Sequence, residues 1–283
     1  MSAVERKPYS VVQYSTKTPT QRRYGDLRSR IVCLAGPPGV GKTQTGLALE
    51  HYLNADGIKT KYFPERINVE HLTMYLMNKK DEAYSFQDGM VQRRWATYYE
   101  ACTYVDTTDG IAIVDGPIIA DNVFEFLNYE GGFIDEKHHL LYMRMMTTMF
   151  GTFREPDYLV YFDSTPATNV RRIRGRNNTA EIVVYDEKFY QTYRDTTRYV
   201  LGATRIAAIP FDDDLPFAPD GFIKREAIYR VLDDIISRAY ESEGLPATVA
   251  TTTTTNTLLF AHNARDHITL RQQGRYYVDI NHL

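Results

Sequence analysis

The stretch Gly36-Pro37-Pro38-Gly39-Val40-Gly41-Lys42-Thr43 matches the pattern G-x-x-x-x-G-K-[ST], the signature of a phosphate-binding loop. Residues 30–35 before it form a short apolar run, which is typical of a buried parallel strand. Residues 45–53 after it carry leucines at helical spacing. A strand, a glycine-rich turn and a helix are the context that this motif requires. We therefore expect the loop to bind a nucleoside triphosphate.

The parts of the loop have distinct expected roles. Its glycines let backbone N–H groups close around phosphates, and the N-terminus of the following helix adds partial positive charge. We expect Lys42 to reach the outer phosphates and the Thr43 hydroxyl to bind Mg²⁺. The residues assigned to phosphate binding are Gly36, Pro37, Pro38, Gly39, Val40, Gly41, Lys42 and Thr43.

Composition excludes several classes of protein. The chain has 283 residues, of which 43% are hydrophobic and 24% charged, as in ordinary globular domains. A net charge of −3 argues against a nucleic-acid-binding protein that relies on overall charge. No apolar run approaches the length of a membrane span. Two cysteines, Cys33 and Cys102, give no disulfide framework and indicate a reducing compartment. We expect a cytoplasmic protein without nucleic-acid or membrane partners.

Residues 31–240 are predicted to form one α/β domain. Strands are expected after the first helix at residues 58–63, 110–115 and 157–163 and near 204–210. Helices are expected at 69–80, 86–105, 121–128 and 134–150, near 185–201, and at 221–240. This alternation predicts a parallel sheet of about five strands with helices on both faces. Ligands of such sheets bind at the carboxyl ends of the strands, where Gly36, Glu65 and Asp115 fall.

The flanking segments differ in composition from the domain. Residues 1–29 hold six lysines and arginines after the first few positions and little apolar periodicity, so we expect a flexible basic arm. A mitochondrial transit peptide is the alternative interpretation of this arm. Residues 241–256 are threonine-rich and predict a linker. Residues 257–283 form a C-terminal extension to which the sequence assigns no role.

Phosphoryl transfer needs a nucleophile with its base, a metal and positive charge, and the strand ends offer candidates for each. Glu65 can accept a proton from a substrate hydroxyl, and Asp115 can hold Mg²⁺ directly or through water. The basic segment with Arg172, Arg174 and Arg176 predicts an arginine-rich lid over the phosphates. Gln87, Met90 and Arg94 share one helix face by their spacing, and the Gln87 amide suits the edge of a nucleobase.

Taken in order, these motifs resemble the deoxyribonucleoside kinase family over about residues 31–240. The resemblance rests on Phe63-Pro64-Glu65, Phe86-Gln87, Asp115 with Pro117-Ile118-Ile119-Ala120, and the arginine lid. The first and third of these are most similar to the herpesviral thymidine kinase branch, so a viral kinase of the host cytoplasm or nucleus is one expectation. The resemblance implies a P-loop kinase, usually a homodimer, that uses ATP and Mg²⁺ to phosphorylate a nucleoside 5′-hydroxyl in nucleotide salvage.

The resemblance also implies roles for individual residues. Glu65 corresponds to the general base, and Arg172, Arg174 and Arg176 correspond to lid arginines. Gln87, Arg94 and Asp121 fall where related kinases read the base, beside Met90. Tyr75 and Glu181 correspond to the partners of the sugar 3′-hydroxyl. Further assignments are Phe124 or Phe126 for stacking on the base, and Asp213 and Asp214 for the loop at the adenine of ATP.

Two positions depart from the family pattern. The family has an arginine directly after the acidic residue of the third strand, where this chain has Gly116. We expect Arg66 to replace that arginine beside the catalytic carboxylate. The family also has a tryptophan five residues after the base, where this chain has Glu70, so the sugar-side wall is expected to differ.

Several functional alternatives stay open at this level. Met90 narrows the pocket and favours a pyrimidine, whereas Arg94 with Asp121 favours cytosine or a purine. We expect a pyrimidine nucleoside as the acceptor, and both thymidine and deoxycytidine stay open. A nucleoside monophosphate kinase of the thymidylate type is a second interpretation, since Arg66 and Arg94 suit an acceptor phosphate. A nucleotide-binding regulatory protein without activity is a third, because Gly116 replaces a catalytic-site arginine.

Overall fold

The fold is built on a five-stranded parallel sheet. A computed structural model describes residues 30–150, 154–176, 178–201 and 207–243, together with Tyr24, Leu27 and Arg28. The strands are β1 Ile31–Ala35, β2 Thr60–Phe63, β3 Ile111–Asp115, β4 Tyr158–Asp163 and β5 Ala207–Pro210. Their order across the sheet is β2-β3-β1-β4-β5, and every pairing is parallel. The predicted α/β class and strand number are confirmed.

Helices connect these strands and cover both faces of the sheet. They are α1 Lys42–Ala55, α2 Val69–Met77, α3 Lys79–Thr108, α4 Asp121–Glu130, α5 Glu136–Phe150, α6 Pro166–Arg174, α7 Thr179–Val184, α8 Glu187–Leu201 and α9 Arg225–Glu243. A short 3₁₀ turn at Ile118–Ala120 links β3 to α4. Among the described residues, no helix is both long and apolar enough to cross a membrane.

Alternation along the strands divides the interior into two cores. Leu34 of β1 packs in one core with Leu49 of α1 and Ile228 of α9. Its neighbour Cys33 points to the opposite face and packs in a second core that includes Met146 of α5. All five of these residues are 0% exposed, so the sheet is covered on both faces at its central strand β1. This burial explains why the strands are nearly continuous apolar runs.

The carboxyl ends of three adjacent strands meet at one edge. Leu34 of β1 pairs with Asp115 of β3, and Val114 pairs with Phe63 of β2. The phosphate-loop sequence therefore begins beside Asp115, and Glu65 follows β2 two residues after its end. This register brings the three predicted strand-end residues to the same side of the sheet.

Several predicted boundaries differ from the structure. The expected helices 69–80 and 86–105 are α2 and a much longer α3, separated only by Asn78. Asn78 has φ −142° and ψ 69°, which is not helical, and it ends α2. The basic segment forms the last turn of α6 and the residues directly after it. Helix α7 was not predicted.

The predicted flanking segments lie almost entirely outside the described residues. Of the expected arm, residues 1–29, only Tyr24, Leu27 and Arg28 are described. Tyr24 and Leu27 are buried in the core, and the Tyr24 hydroxyl donates to Asp233 of α9 over 2.8 Å. Two residues of the expected arm, Tyr24 and Leu27, therefore pack with the domain, while the bounds of the arm stay a prediction. The C-terminal extension, residues 257–283, lies outside the described residues. Of the linker, residues 241–256, only the part that belongs to the end of α9 is described.

The apolar side chains of α5 are divided between the interior and the surface. Met146 and Met149 are buried, whereas Leu140 and Leu141 are 38% and 44% exposed. Core packing therefore accounts for only some of these side chains. The homodimer implied by the family resemblance stays a prediction.

Close packing of α1 against β2 allows a direct test of the fold. A Cβ on Gly46 would lie 2.3 Å from the Tyr62 ring, which is buried. We expect Gly46→Ala to lower the free energy of unfolding by about 1–3 kcal/mol because the ring must move. Gly89→Ala in α3 is the control, since its Cβ would meet only the flexible end of Arg93. It should be neutral or stabilising by up to about 1 kcal/mol. Urea unfolding measures both, and equal values would contradict this packing.

Candidate active site

A pocket opens at the carboxyl ends of β1, β2 and β3. It is lined by parts of the phosphate loop, by residues of α3 and α4, and by residues that follow α6. Predicted site residues on its wall are Gly36, Pro38, Gly39, Gly41, Lys42, Thr43, Glu65, Tyr75, Gln87, Met90, Arg94, Asp115, Asp121, Phe124, Arg176 and Glu181. Most of the predicted site residues are therefore brought together.

The phosphate loop adopts a backbone that only glycines accommodate readily. Gly39 and Gly41 have φ values of +80° and +113°, in the left-handed region. The Lys42 ammonium donates to the carbonyls of Gly36 and Pro37 over 2.9 and 3.2 Å. Burial lowers the pKa of Lys42, although Asp115 and Glu65 oppose this shift. The lysine is thus held at the loop by contacts that phosphate oxygens can replace.

Asp115 accepts two hydrogen bonds on one carboxylate oxygen. The Thr43 hydroxyl and the Tyr62 hydroxyl each donate to Oδ2 over 2.8 Å. The other oxygen, Oδ1, is buried and has no hydrogen-bond partner. Burial raises the pKa of Asp115, with a further contribution from Glu65. A free carboxylate oxygen beside a threonine hydroxyl fits a magnesium site in which nucleotide phosphates and water supply the other ligands.

No group of three or more His, Cys, Asp or Glu side chains suited to a metal occurs in the described parts of the chain. This agrees with the way Mg²⁺ is bound in kinases, through one or two protein ligands, substrate phosphates and waters.

A buried arginine joins the two sides of the pocket. Arg94 of α3 donates through Nη2 to Oε1 of Glu65 and through Nη1 to Oδ1 of Asp121. The side chains of Arg94, Glu65 and Asp121 are 7%, 18% and 1% exposed. One guanidinium therefore serves both the carboxylate at the end of β2 and the carboxylate at the start of α4.

The two carboxylates that share Arg94 differ in their electrostatics. Burial tends to raise the pKa of Glu65, but the charges of Arg94, Lys42 and Arg176 outweigh it, and the net shift is downward. Burial raises the pKa of Asp121 to about 7 despite Arg94. Glu65 is therefore ionised at neutral pH, as a proton acceptor must be.

Gly116 leaves room for the contact between Glu65 and Arg94. It has φ +69°, and a Cβ there would lie 2.8 Å from Glu65 Oε1 and 3.1 Å from Arg94 Nε. The expectation that Arg66 replaces the family arginine was wrong. Arg66 instead pairs with Glu100 over 2.6 Å, and both side chains are nearly half exposed. The residue that holds Glu65 is Arg94, which sequence spacing had placed only on the base side.

The base and sugar side of the pocket is formed by α2, α3 and α4. The Gln87 amide donates to the carbonyl and to Oδ1 of Asp121 over 3.2 and 3.0 Å. The Tyr75 ring stacks on Phe86 at 4.6 Å, and its hydroxyl donates to Asn128 over 2.9 Å. Glu181 enters the same pocket from α7. Phe124 lines the wall, whereas Phe126, its alternative, does not.

The predicted lid arginines have three different environments. Arg176 lines the pocket. Arg172 lies outside it and donates to the carbonyls of Val40 and Phe211 over 3.0 and 2.8 Å. Arg174 is exposed and also lies outside the pocket. Only Arg176 is therefore placed to reach a ligand in this structure, while Arg172 ties the phosphate loop to the segment after β5.

The predicted adenine-side aspartates do not line the pocket either. The Asp213 carbonyl accepts from Arg172 over 2.9 Å. The Asp214 carboxylate pairs with Arg171 at an exposed site, over 2.5 Å. Both residues act here as partners of α6. Pro37 and Val40 contribute to the loop backbone without lining the pocket, and Glu70 is exposed at the start of α2.

Three tyrosines belong to the site although their sequence positions did not single them out. Tyr62 donates to Asp115, and Tyr185 and Tyr193 line the pocket wall. The strand alternation of β2, which turns Tyr62 toward α1, is the signal that identifies it. Tyr193 lies in α8, and Tyr185 lies two residues before α8 begins. No local sequence pattern identifies either of them as a site residue.

Comparisons with known proteins agree with this geometry. A family model described as deoxynucleoside kinase matches residues 32–236. A deoxyadenosine kinase from Dictyostelium discoideum is 24% identical over 60% of this chain and 69% of its own length. A deoxyguanosine kinase from Lactobacillus acidophilus is 25% identical over 76% of this chain and 93% of its own. Neither is a herpesviral thymidine kinase, so the likeness to that branch stays a prediction.

Solved structures show the same fold. The deoxyadenosine kinase from M. mycoides with bound dCTP superimposes with a TM-score of 0.56 at 15% identity and covers 73% of this chain and 99% of its own. The structure of that enzyme with bound dATP gives the same TM-score at 16% identity. The chain belongs to the deoxynucleoside kinase family and is a deoxyribonucleoside kinase.

Proposed function

We propose that this kinase transfers the γ-phosphoryl group of ATP to the 5′-hydroxyl of a deoxyribonucleoside, in nucleotide salvage. The observation that carries the proposal is the ionised carboxylate of Glu65 in the same pocket as the phosphate loop. A nucleoside bound along α3 and α4 would bring its 5′-hydroxyl to that carboxylate, beside the phosphate loop. This arrangement supplies a base for the hydroxyl and a cradle for the donor.

The chemical roles of the residues follow from this placement. Glu65 takes the proton of the 5′-hydroxyl while the 5′-oxygen forms a bond to the γ-phosphorus. The bond from that phosphorus to the β–γ bridging oxygen breaks, and ADP leaves. Lys42 and Arg176 carry positive charge at the phosphates, where negative charge accumulates. Thr43 and Asp115 are the residues that would hold Mg²⁺, which would supply further neutralising charge at the phosphates.

Asp121 supports a preference for a base with an exocyclic amino group. Its Oδ1 accepts from Arg94 and Gln87, but its Oδ2 is buried and has no partner. When Asp121 is ionised, at pH values above its pKa of about 7, this buried acceptor favours an amino donor and disfavours a carbonyl. Of the two pyrimidine nucleosides expected from Met90, deoxycytidine meets this condition and thymidine does not. Deoxyadenosine meets it too, in line with the deoxyadenosine kinases among the relatives.

The arginines favour a nucleoside over a monophosphate as the acceptor. The pocket of the described residues is lined by two arginines, Arg94 and Arg176. Arg94 is engaged by two carboxylates, and Arg66 lies at the surface with Glu100. An acceptor phosphate would also face Glu65 and Asp121 at close range, which like charge disfavours.

We expect ATP-dependent turnover of deoxycytidine or deoxyadenosine to exceed that of thymidine and of every monophosphate. Glu65→Gln should lower the rate by about 10²–10⁴-fold, since it removes the base, and leave ATP binding intact. Phosphorylation of a panel of four deoxynucleosides and their monophosphates, followed by chromatography, measures this. Glu100→Gln, which removes an exposed carboxylate, is the matched control. Turnover of monophosphates alone would reject the proposal.

The magnesium role of Asp115 has its own test. Asp115→Asn should raise the Mg²⁺ concentration for half-maximal activity by about tenfold or more, because one charged ligand is lost. Binding of ATP without metal should be unchanged or tighter, since a negative charge near the phosphates is removed. Asp106→Asn, at an exposed site of α3, is the control. An unaltered magnesium dependence would show that Asp115 is not a metal residue.

A further inference from the structure

We propose that Arg94 couples recognition of the base to the chemical step, because the guanidinium that Asp121 holds on the base side is the one that positions Glu65. The inference rests on the proposed function and adds a role that the family resemblance does not contain. In the family pattern, the arginine after the acidic residue of the third strand positions the catalytic carboxylate. A different arginine pairs with the aspartate that reads the nucleobase. In this chain Gly116 removes the first arginine, and Arg94 performs both tasks.

The geometry of Arg94 supports a direct mechanical link. Nη1 contacts Asp121 and Nη2 contacts Glu65, so each carboxylate is bound to a different terminal nitrogen of one planar group. A guanidinium is rigid, and its nitrogens move together. Its surroundings are tight, because the side chain is 7% exposed. A change in the orientation of Asp121 therefore moves the donor that fixes Glu65.

Gly116 is the condition for this arrangement. A Cβ at position 116 would approach Glu65 Oε1 to 2.8 Å and Arg94 Nε to 3.1 Å. The first distance is shorter than a Cβ contact allows and the second is tight, so a side chain there would displace the Glu65 carboxylate and crowd the guanidinium. The contact between Arg94 and Glu65 thus depends on the residue that departs from the family pattern.

Two buried polar atoms show where the substrate enters this link. Oδ2 of Asp121 is a buried acceptor to which no group donates a hydrogen bond. Nε of Arg94 is a buried donor with no acceptor. An amino group on the base satisfies Oδ2 and fixes the carboxylate. Substrates without the amino group leave Oδ2 of Asp121 unsatisfied.

The consequence is that discrimination between bases appears in the chemical step as well as in binding. If base reading and catalysis were independent, a change at Asp121 would raise the KM for the nucleoside and leave kcat unchanged. With Arg94 shared, the same change lowers the rate of phosphoryl transfer at saturating nucleoside. Arg94 and Asp121 are positioning residues for Glu65 in this scheme.

A double-mutant cycle on single-turnover rates tests the coupling. At saturating ATP and nucleoside, Asp121→Asn should lower the rate for the preferred base by about tenfold or more, because the weakened contact releases Arg94. In a Glu65→Gln background the same substitution should change the rate by less than about twofold, since no base is left to position. Arg94→Lys should not restore the rate, because an ammonium lacks the planar fork.

Outcomes separate the coupling from the function itself. Equal effects of Asp121→Asn in both backgrounds, or an effect confined to KM, would overturn the coupling while leaving the kinase reaction intact. Absence of nucleoside phosphorylation by the unmodified protein would instead refute the proposed function.

A pair of glycine variants tests the same link without altering a charged group. Gly116→Ala should displace Glu65 and lower the single-turnover rate by on the order of 100-fold, with ATP binding retained. Gly132→Ala is the matched control, because Gly132 has φ +70° and a Cβ there would meet nothing within 4 Å. Both variants carry the same backbone strain. Similar rates for the two would contradict the role of Gly116.

Discussion

The pocket depends on one buried cation held between two buried carboxylates. A charged side chain as little exposed as that of Arg94 is tolerated in a protein interior only when it is paired and hydrogen-bonded. Glu65 and Asp121 meet this requirement from different elements, the end of β2 and the start of α4. The three segments that carry these residues must therefore meet at one point. Removing either carboxylate leaves one guanidinium nitrogen of Arg94 without its acceptor, so the position of α3 is tied to the chemistry of the site.

Sheet topology supplies the framework for this contact. In the order β2-β3-β1, the loop after β2, the acidic end of β3 and the phosphate loop after β1 come from three neighbouring strands. Parallel strands present their carboxyl ends on the same side, so the proton acceptor, the metal-side carboxylate and the phosphate cradle share one edge. Helices α3 and α4 then close the pocket on the side of the nucleoside. Arg172, through its contacts with Val40 and Phe211, joins α6 to both the cradle and the segment after β5.

Much of this site was predictable because its signals are local. The phosphate-loop pattern, the apolar strands with acidic ends and the helical spacing of Gln87, Met90 and Arg94 lie within short segments. The sequence could not show which partners the long side chains contact. Arg66, which directly follows Glu65 in the chain, was the expected partner, but the packing of α3 brings Arg94 to Glu65 instead. Arg172 was predicted to face the phosphates, but its partners lie 132 and 39 residues away in the chain. The burial of Tyr24 shows the same limit at the N-terminal edge of the domain.

The central claim is that Glu65 acts as the proton acceptor for the 5′-hydroxyl. The most direct test compares the best nucleoside acceptor with its 5′-amino analogue at alkaline pH, where a neutral amine needs no base to attack the phosphorus. Glu65→Gln should lose transfer to the hydroxyl by about 10²–10⁴-fold but retain transfer to the amine at close to the unmodified rate. If the substitution impaired both acceptors equally, Glu65 would be a binding residue, and this account of the chemistry would be contradicted.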